Sequence, residues 1–394
     1  MGFSVRMSRI KASGIRAVQK RIAGKNDIIS FAAGLPDPEL YPLEDLRKAA
    51  DTMLEKEGAA AFAYGLTKGY GPLLDFLTDR MNNREGVECT KENICMLSGS
   101  QQGLGLAAMM FIDEGDVVIT ENPSYLGAIN AFRPYGADFK GVDTDNDGIV
   151  IEDLERVLEE TPKAKLIYVI PNFQNPTGKA WSLERRERFM EVVSKYDVVV
   201  VEDNPYGDLR FKGKQLPHLR ALDKNNQVMY LGSFSKILSP GMRVAWACAS
   251  PEVAKAIEEL KETNDLQSPE ITQMLTYYYL KMFDLEAHIR EIQVVYKERC
   301  ELMVEMIKEY FPVEIKYTDP EGGMFLWLEL PEGLDSDKIL DDAVAAGIAY
   351  IPGESFFSFD GVKNTIRMNF TMVKEPQIRE GIKVLGEVFK KYID

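Results

Sequence analysis

Short apolar runs alternate with longer amphipathic segments through the middle of the chain, from about residue 70 to residue 250. This alternation predicts βα units and therefore a parallel sheet. The runs are apolar at successive positions, so we expect helices to cover both faces of the sheet. The predicted strands are 94–97, 117–120, 166–170, 198–201, 228–231 and 244–249.

Past residue 250 the pattern changes and predicts a second, smaller domain. Residues 253–310 have a helical pattern, 323–328 resemble a strand, and 375–392 form a predicted C-terminal helix. We therefore expect an α/β protein with two domains. The predicted boundaries are 46–285 for the large domain, and 1–45 together with 286–394 for a small α+β domain.

Polar residues follow five of the predicted strands, at the point where each strand ends. In open α/β sheets, ligands bind outside the carboxyl ends of the strands. We therefore expect these polar clusters to form one site. The clusters are 98–101, 121–125, 171–175, 202–206 and 233–236.

Composition and charge narrow the class of ligand. The 394 residues include 47 Lys and Arg against 62 Asp and Glu, a net charge of -15. Binding to a nucleic-acid backbone needs clustered basic residues, so we expect a small-molecule substrate and no nucleic-acid partner. The N-terminus lacks the apolar core of a signal peptide, and no apolar run approaches the roughly 20 residues that span a bilayer. We expect a cytoplasmic protein without a membrane partner.

The sequence gives little support to metal or disulfide chemistry. The four cysteines form no Cys-x-x-Cys pair, and the chain has two histidines. Residues 143–148 copy the first half of a calcium loop, but Leu154 stands where the loop requires a bidentate Glu. We expect no metal, and we interpret this stretch as an acidic turn before a helix that starts near Glu152.

Lys236 is the first candidate for catalysis. It ends the stretch Ser-Phe-Ser-Lys after an apolar run, and Arg243 follows seven residues later. A lysine in such a position is usually a surface cation. Near other cations and partly desolvated, however, its pKa falls and it can form a Schiff base. The neighbouring hydroxyls and the fixed cation suit a phosphorylated aldehyde cofactor.

Asp203 follows a run of four valines, 198–201, and Glu202. An unpaired carboxylate at a buried strand end is costly, so Asp203 needs a cationic partner, such as the ring nitrogen of pyridoxal phosphate. The alternative is a residue that caps the following turn. Tyr206 and Asn175 could donate hydrogen bonds to the ring oxygen, although Asn-Pro-Thr-Gly alone is a turn signal.

The sequence also contains candidate binding residues for a phosphate group and for a carboxylate. Residues 98–103 lead into a helix predicted over 104–112, where backbone N–H groups suit a phosphate, helped by Ser233, Ser235 and Arg243. The stretch matches neither a Walker loop nor the dinucleotide pattern. Arg367, in a strand-like stretch, could bind an amino acid's α-carboxylate bidentately or form an internal salt bridge.

Taken in order, these motifs resemble the fold-type I aminotransferases, and within them the kynurenine/2-aminoadipate aminotransferase branch. The resemblance covers essentially the whole chain, and it implies an aspartate aminotransferase-like fold with a mostly parallel seven-stranded sheet. It also implies pyridoxal 5'-phosphate as the cofactor and a homodimer with composite sites. The motifs are 34–38, 99–103, 171–178, 202–206, 233–236 with Arg243, 322–327 and 366–370.

The resemblance further implies a role for each site residue. Lys236 would form the imine and move the proton, Asp203 would pair with the ring nitrogen, and Tyr125 would stack on the ring. The ring oxygen would contact Asn175 and Tyr206. The phosphate would be held by Ser100, Gln101, Ser233, Ser235, Arg243 and, from the neighbouring subunit, Tyr64. The substrate would be held by Arg367, Gly34, Asn175 and Arg16, the last on a segment that closes over the substrate in relatives. Asn204 departs from the family pattern, in which a second acid often follows Asp203.

We therefore expect a ping-pong transaminase. An L-amino acid of the 2-aminoadipate, kynurenine, aromatic or branched-chain type would give its amino group to the cofactor, and a 2-oxo acid such as 2-oxoglutarate would take it. A lyase or decarboxylase on the same fold is an alternative, because the cofactor supports these reactions with nearly the same residues. A ligand-binding regulator is a second alternative. The chain starts directly with the aminotransferase pattern, without a basic DNA-binding segment, which argues against the regulator.

Overall fold

The computed structural model describes residues 2–10, 14–25, 27–359 and 361–393. In chain order, strands β1 to β14 are Ile29–Ser30, Ile94–Leu97, Val117–Asn122, Asp138–Asp145, Gly148–Ile149, Ala164–Val169, Val199–Asn204, Val228–Ser233, Ala245–Cys248, Lys316–Tyr317, Phe325–Glu329, Ile348–Ala349, Ile351–Pro352 and Thr365–Asn369. Helices α1 to α14 are Val5–Ser8, Gly14–Ile22, Leu43–Ala61, Gly71–Asn83, Ser100–Phe111, Leu126–Phe132, Ile151–Glu160, Leu183–Val193, Leu219–Leu222, Pro251–Asn264, Glu270–Met282, Leu285–Tyr310, Ser336–Ala345 and Glu375–Phe389.

The large sheet has the strand order β2-β9-β8-β7-β6-β3-β4-β5. Strands β8, β7, β6, β3 and β4 pair in parallel, and the two-residue β5 folds back on β4. The mostly parallel α/β sheet predicted from the sequence is thus confirmed, with seven strands extended by β5. All six strands expected from the apolar runs are present.

Two features of this sheet differ from the prediction. Strand β9 runs antiparallel to both β8 and β2. The link from β8 to β9 contains no crossover helix long enough to return the chain to the far edge, so the two strands pair as neighbours in opposite directions. Strand β4 was not predicted, because its residues, next to the short last strand β5, are mostly partly exposed or exposed and few are apolar.

Successive residues of the central strands point into two separate cores. In β6, Ile167 and Val169 belong to the core that contains residues of α7 and α8, whereas Leu166 and Tyr168 belong to the core that contains residues of α5. Both faces are therefore covered, as the unbroken apolar runs predicted. Each fully buried aliphatic side chain in these strands contributes about 1.5–3 kcal/mol.

A smaller antiparallel sheet with the order β10-β11-β14-β13 lies in the C-terminal part of the chain. Its strand β14 pairs with β11 and β13, so that Arg367 lies opposite Trp327 and Ile351. The N-terminal strand β1 pairs in parallel with β12, and the N–H of Asn369 donates to the carbonyl of Phe31. The N-terminal segment that leads to Gly34 is thereby fixed beside Arg367.

The longest helix, α12, spans 26 residues and buries one face. Its buried residues include Ile289, Ile292, Tyr296 and Met303, at spacings of three, four and seven that define one side of a helix. No helix within the described ranges has both the length and the apolar character that crossing a membrane requires.

A buried histidine links two carboxylates on the face of β7 opposite Asp203. Nε2 of His218 lies 2.9 Å from Glu85 Oε2, and Nδ1 lies 3.4 Å from Glu202 Oε1. Burial alone would lower the pKa of His218, but hydrogen bonds and charge from Glu202 and Glu85 outweigh it and raise the pKa to about 9. The imidazolium therefore stabilises the folded state at neutral pH.

We expect His218→Gln to lower the thermal unfolding midpoint at pH 7. The folded-state pKa lies above the usual value near 6.5, so the stabilisation is complete below pH 6.5 and is lost as pH rises through 9. It amounts to roughly 3 kcal/mol. Unfolding monitored by circular dichroism at pH 7 and pH 10 should show a difference from the wild type that shrinks at the higher pH.

His288→Gln is the matched control, because burial lowers the pKa of His288 instead of raising it. Its difference from the wild type should not change between pH 7 and pH 10. A pH-independent effect of His218→Gln would contradict a charged imidazole at this position.

Candidate active site

One cavity of about 380 Å³ brings together the predicted site residues other than Tyr64 and Arg16. The volume is typical of small-molecule sites. Residues not predicted for the site also line it, among them Gln19 and Leu35. The predicted residues that line it are Gly34, Ser100, Gln101, Tyr125, Asn175, Asp203, Tyr206, Ser233, Ser235, Lys236, Arg243 and Arg367.

Sheet topology explains why these residues converge. Parallel strands end at the same edge of a sheet, so the segments after β3, β6, β7 and β8 meet there. Strand β9 runs the opposite way and therefore starts at this edge, which brings in Arg243, two residues before β9 begins. Strand β2 is antiparallel to β9, so its end and the turn at Ser98 also lie here.

Lys236 follows β8 by three residues and is enclosed by the cavity. Its Nζ donates to the carbonyl of Gly34 at 3.1 Å. Burial lowers the pKa of Lys236 to about 8, the charges of Arg367 and Arg243 act in the same direction, and Asp203 opposes them. An amine in this state is more available as a nucleophile and proton acceptor than a solvated lysine.

Asp203 is buried at the end of β7, on the face that contributes to the cavity. Its Oδ2 accepts a hydrogen bond from Tyr168 Oη at 2.8 Å, whereas Oδ1 is buried without a partner among the described residues. Burial raises the pKa of Asp203 to about 6, and the Tyr168 hydrogen bond and the Lys236 charge oppose the rise. Such a carboxylate has an unmet demand for a cationic or donor group.

Tyr168 was missed by the sequence analysis. It stands in the apolar run of β6, where it resembles another core residue. Only the pairing of β6 with β7 brings its hydroxyl to Asp203, and a single sequence does not give that register. The only signal of its role in the sequence was a tyrosine near the end of a predicted strand.

The turn between β2 and α5 is shaped for an anion. Gly99 has φ 95°, and a Cβ there would collide with the guanidinium of Arg243. Arg243 Nη2 in turn donates to the carbonyl of Ser98 at 2.9 Å. Ser100 Oγ is buried without a partner in the described part of the chain, and Ser233 Oγ lies 2.9 Å from Ser235 Oγ. Hydroxyls and a permanent cation thus surround one pocket.

Helix α5 begins at Ser100, four residues before the predicted start. The left-handed conformation of Gly99 turns the chain, and the carbonyl of Gly99 accepts from the N–H of Gln102. Ser100 and Gln101 therefore lie in the first helical turn, where N–H groups lack intrahelical partners. The predicted helix start at 104 was therefore four residues late.

Arg367 is 1% exposed and is held by uncharged groups. Nη1 donates to Asn175 Oδ1 at 3.1 Å, and Nη2 donates to the carbonyl of Ala32 at 3.2 Å. The guanidinium lies 4.4 Å from the ring centroid of Phe325. Burial lowers the pKa of Arg367 to about 10. No carboxylate pairs with Arg367 among the described residues, which leaves room for an anionic ligand.

Two aromatic hydroxyl groups complete the cavity wall. Asn175 Nδ2 donates to Tyr206 Oη at 3.4 Å. Burial raises the pKa of Tyr125, which lines the cavity at the start of α6.

Asn204 beside Asp203 is held by two neutral partners: Asn172 donates to its Oδ1 at 2.8 Å, and its Nδ2 donates to Tyr230 Oη at 2.9 Å. An amide suits that setting, because it both accepts and donates.

Tyr64 and Arg16 lie outside this cavity. Tyr64 is 86% exposed, on the segment between α3 and α4. Arg16 is exposed on α2, and Gln19, almost one turn further along that helix, lines the cavity instead. Their predicted roles therefore depend on a second subunit and on a movement of α2, and both stay predictions.

The cavity fits pyridoxal phosphate by the chemistry of its own groups. The unpartnered Asp203 Oδ1 suits a protonated ring nitrogen, and the unpartnered Ser100 Oγ suits a phosphate oxygen. The absence of a side chain at Gly99 lets the guanidinium of Arg243 approach the turn closely, and a permanent cation there suits the phosphate itself. Lys236, with a lowered pKa, suits an aldehyde carbon.

Comparison with known proteins identifies the family. The family model described as aminotransferase class I and II matches residues 26–385. This chain belongs to the class I and II aminotransferases. Aromatic-amino-acid aminotransferase 1 of Thermococcus litoralis is 42% identical over 393 residues, which cover 99% of this chain and 94% of that protein. The 2-aminoadipate transaminase of Thermus thermophilus is 39% identical and covers 97% and 95%.

Solved structures agree with this assignment. The kynurenine aminotransferase of Pyrococcus horikoshii, in complex with PMP, superposes with a TM-score of 0.95 at 40% identity, covering 100% of this chain and 98% of that one. The α-aminoadipate aminotransferase LysN of Thermus thermophilus, complexed with N-(5'-phosphopyridoxyl)-L-leucine, gives 0.91 at 38%, covering 99% and 97%. The fold is that of aspartate aminotransferase, and pyridoxal phosphate is the cofactor of this transaminase.

We expect Tyr168→Phe to lower kcat by roughly tenfold, because it removes a hydrogen bond to an ionised carboxylate. Without the Tyr168 hydroxyl, the pKa of Asp203 rises further, and in its expected role the carboxylate would be less able to keep a ring nitrogen protonated. Steady-state kinetics across pH should show the loss together with a higher pKa on the acidic limb of the profile.

Tyr230→Phe provides the comparison, since it also deletes a buried hydroxyl in a neighbouring strand but contacts Asn204 rather than Asp203. It should leave the acidic limb unchanged. Equal effects from the two variants would remove the special role of Tyr168.

Proposed function

We propose that this aminotransferase moves an amino group from an L-amino acid with a large side chain to a 2-oxo acid such as 2-oxoglutarate, by a ping-pong mechanism. The observation that carries the proposal is the arrangement of two cations in one cavity. The amine of Lys236 and the guanidinium of Arg367 line the same cavity, and both lie beside Gly34. In this proposal Arg367 binds the carboxylate of the substrate, and Lys236 moves the proton of the neighbouring α-carbon.

Each residue has a distinct task in this proposal. Arg367 binds the α-carboxylate of amino acid and oxo acid alike, with Asn175 fixing the guanidinium. Pyridoxal phosphate, when bound, supplies the electron sink for the carbanion. Lys236 Nζ accepts the α-proton and returns it, and Asp203 holds the ring nitrogen in its protonated form. The buried walls exclude water from the exchange.

The rest of the phosphate and ring contacts follow the same proposal. Ser100, Gln101, Ser233, Ser235 and Arg243 hold the phosphate, and Asn175 and Tyr206 donate to the ring oxygen. Tyr125 stacks on the ring, and Gly34 contacts the substrate. All of these residues line the cavity, which supports the assignment.

The donor side chain lies, in this proposal, towards Gln19 and Leu35 at the N-terminal side of the cavity. This part of the lining carries no fixed charge, so it suits apolar and aromatic side chains. Relatives named for aromatic amino acids, 2-aminoadipate and kynurenine, and a multiple substrate aminotransferase of Thermococcus profundus, support a broad donor range. Arg16 closes over donors that carry a second carboxylate.

We further propose that two copies form a homodimer in which each Tyr64 reaches the partner's phosphate. One short segment exposes three large apolar side chains, Phe62, Tyr64 and Leu66, by 74%, 86% and 72%. Such a cluster is unusual on a surface that stays in contact with water and is typical of a protein contact. The segment is also well anchored, because Gln267 accepts from the N–H of Gly65 and Gln273 accepts from the N–H of Tyr70. A fixed apolar projection suits a subunit contact.

Residues 46–285 form the cofactor-binding domain in this proposal, and 1–45 with 286–394 form the small domain. The pairing of β1 with β12 supports the joining of the N-terminal segment to the C-terminal part. Arg367 and Lys236 then stand on different domains, so substrate binding draws the two together.

Borohydride reduction of the holoenzyme should fix the cofactor covalently to the peptide that contains Lys236, and to no other. With donor and 2-oxoglutarate, glutamate should accumulate in equal amount to the new 2-oxo acid. Peptide mass spectrometry and product analysis measure the two outcomes. A label on another lysine would refute the site, and carbon dioxide or ammonia as the main product would favour a decarboxylase or lyase instead.

Tyr64→Phe should weaken the binding of pyridoxal phosphate by roughly three- to tenfold, because it removes a neutral hydrogen bond to the phosphate. The dissociation constant of the cofactor, measured by absorbance, gives the result. Tyr392→Phe, also on the surface but on the last turn of the chain, should leave it unchanged. Unchanged binding in Tyr64→Phe would mean that the side chain is only solvated.

A further inference from the structure

A buried lysine lies behind the turn that leads into α5, outside the cavity itself. Lys261, on α10, is 0% exposed. The residues that its ammonium group binds, Gln102, Ser268 and Asp265, are not among the described lining residues of the cavity, and neither the motifs nor the proposed mechanism accounts for this lysine. Lys255, almost two turns earlier on the same helix, shows the usual behaviour with a side chain 77% exposed.

The ammonium of Lys261 is surrounded by oxygen atoms from three segments. Nζ donates to Gln102 Oε1 at 3.2 Å and to Ser268 Oγ at 3.1 Å. Asp265 Oδ1 lies 3.5 Å away, on a side chain that is 35% exposed. A buried ammonium costs several kcal/mol unless it is compensated, and here two hydrogen bonds and one ion pair compensate it.

Both uncharged partners of Lys261 hold Ser98, the residue before Gly99. Gln102 Oε1 also accepts from the N–H of Ser98 at 2.8 Å, and Ser268 Oγ lies 3.1 Å from Ser98 Oγ. The third polar group of Ser98, its carbonyl, accepts from Arg243. Arg243 therefore binds Ser98 directly, and Lys261 binds it through Gln102 and Ser268.

The orientation of Gln102 depends on this lysine. Two donors meet at its Oε1, the ammonium of Lys261 and the N–H of Ser98, and its Nε2 donates to Asp265. Without Lys261, the amide could turn to present its NH₂ group elsewhere, and the N–H of Ser98 would lose its acceptor. The residues next along the chain, Ser100 and Gln101, line the cavity.

We propose that Lys261 is a positioning residue for the phosphate of the cofactor. It holds Ser98 and Gln102, and through them the start of α5, in the geometry that leaves Ser100 Oγ and the first N–H groups free for phosphate oxygens. This inference rests on the proposed placement of the phosphate at Ser100 and Arg243.

The test compares cofactor forms with and without the phosphate. Apoenzyme is titrated with pyridoxal 5'-phosphate and with pyridoxal, and both dissociation constants are measured by absorbance. In Lys261→Met, whose side chain is of similar length without the charge, pyridoxal phosphate should bind at least roughly tenfold more weakly. Pyridoxal, which lacks the phosphate, should bind within about threefold of the wild type.

Lys255→Met is the control on the same helix and should change neither constant. If Lys261→Met weakens both ligands by the same factor, the lysine serves general stability and the proposal is overturned. It is also overturned if neither constant changes. A wild type that binds pyridoxal as tightly as pyridoxal phosphate would instead refute the phosphate placement, so the two failures are distinguishable.

Ser268→Ala tests the same proposal if Lys261→Met does not fold. It deletes one hydroxyl and leaves the lysine with Gln102 and Asp265. A selective loss of pyridoxal phosphate affinity of roughly two- to fivefold is expected, since Ser98 loses one hydrogen bond and Lys261 loses one of its acceptors. An unselective loss, or no loss, contradicts the proposal.

Discussion

Burial of ionisable groups in one cavity is the constraint on which the rest of this site depends. Lys236, Asp203 and Arg367 line one cavity, where burial shifts the pKa of each, and the charges of Arg367 and Asp203 act in opposite directions on the pKa of Lys236. The amine loses part of its charge and the carboxyl group becomes harder to ionise. A solvated surface would screen these effects. The cavity walls and the two cores that support them therefore set the chemistry as much as the reacting groups do.

Sheet topology delivers these groups without any long loop. Parallel strands bring Asp203 and Lys236 to one edge, and the reversal at β9 adds Arg243. A fully parallel arrangement would have placed the start of β9 at the opposite edge. The small antiparallel sheet contributes Arg367 from the other side. Residues far apart in the chain thus meet, because each lies within a few residues of a strand end, where the backbone is held by neighbouring strands.

The sequence was sufficient to predict those site residues that can be recognised from their residue type and from their position after an apolar strand. Asp203 after four valines, and Lys236 after a buried strand, could be placed because strand ends and polar residues are both visible in one dimension. Tyr168 and Lys261 could not, since their importance lies in what they touch. Tyr168 needs the register of β6 on β7, and Lys261 needs the approach of α10 to the turn at Ser98. Strand β4 was missed because a strand that is mostly exposed does not need an apolar run.

The uncharged environment of Arg367 shows why an amide, and not an acid, belongs at position 175. Asn175 accepts from Arg367 through Oδ1 and donates to Tyr206 through Nδ2. An aspartate there would pair with the guanidinium and satisfy it, so an incoming carboxylate would have to compete with a fixed one in a buried setting. It would also lose the donor that Tyr206 needs. The amide holds the cation in place without neutralising it, and the attraction for an anion is kept for the substrate.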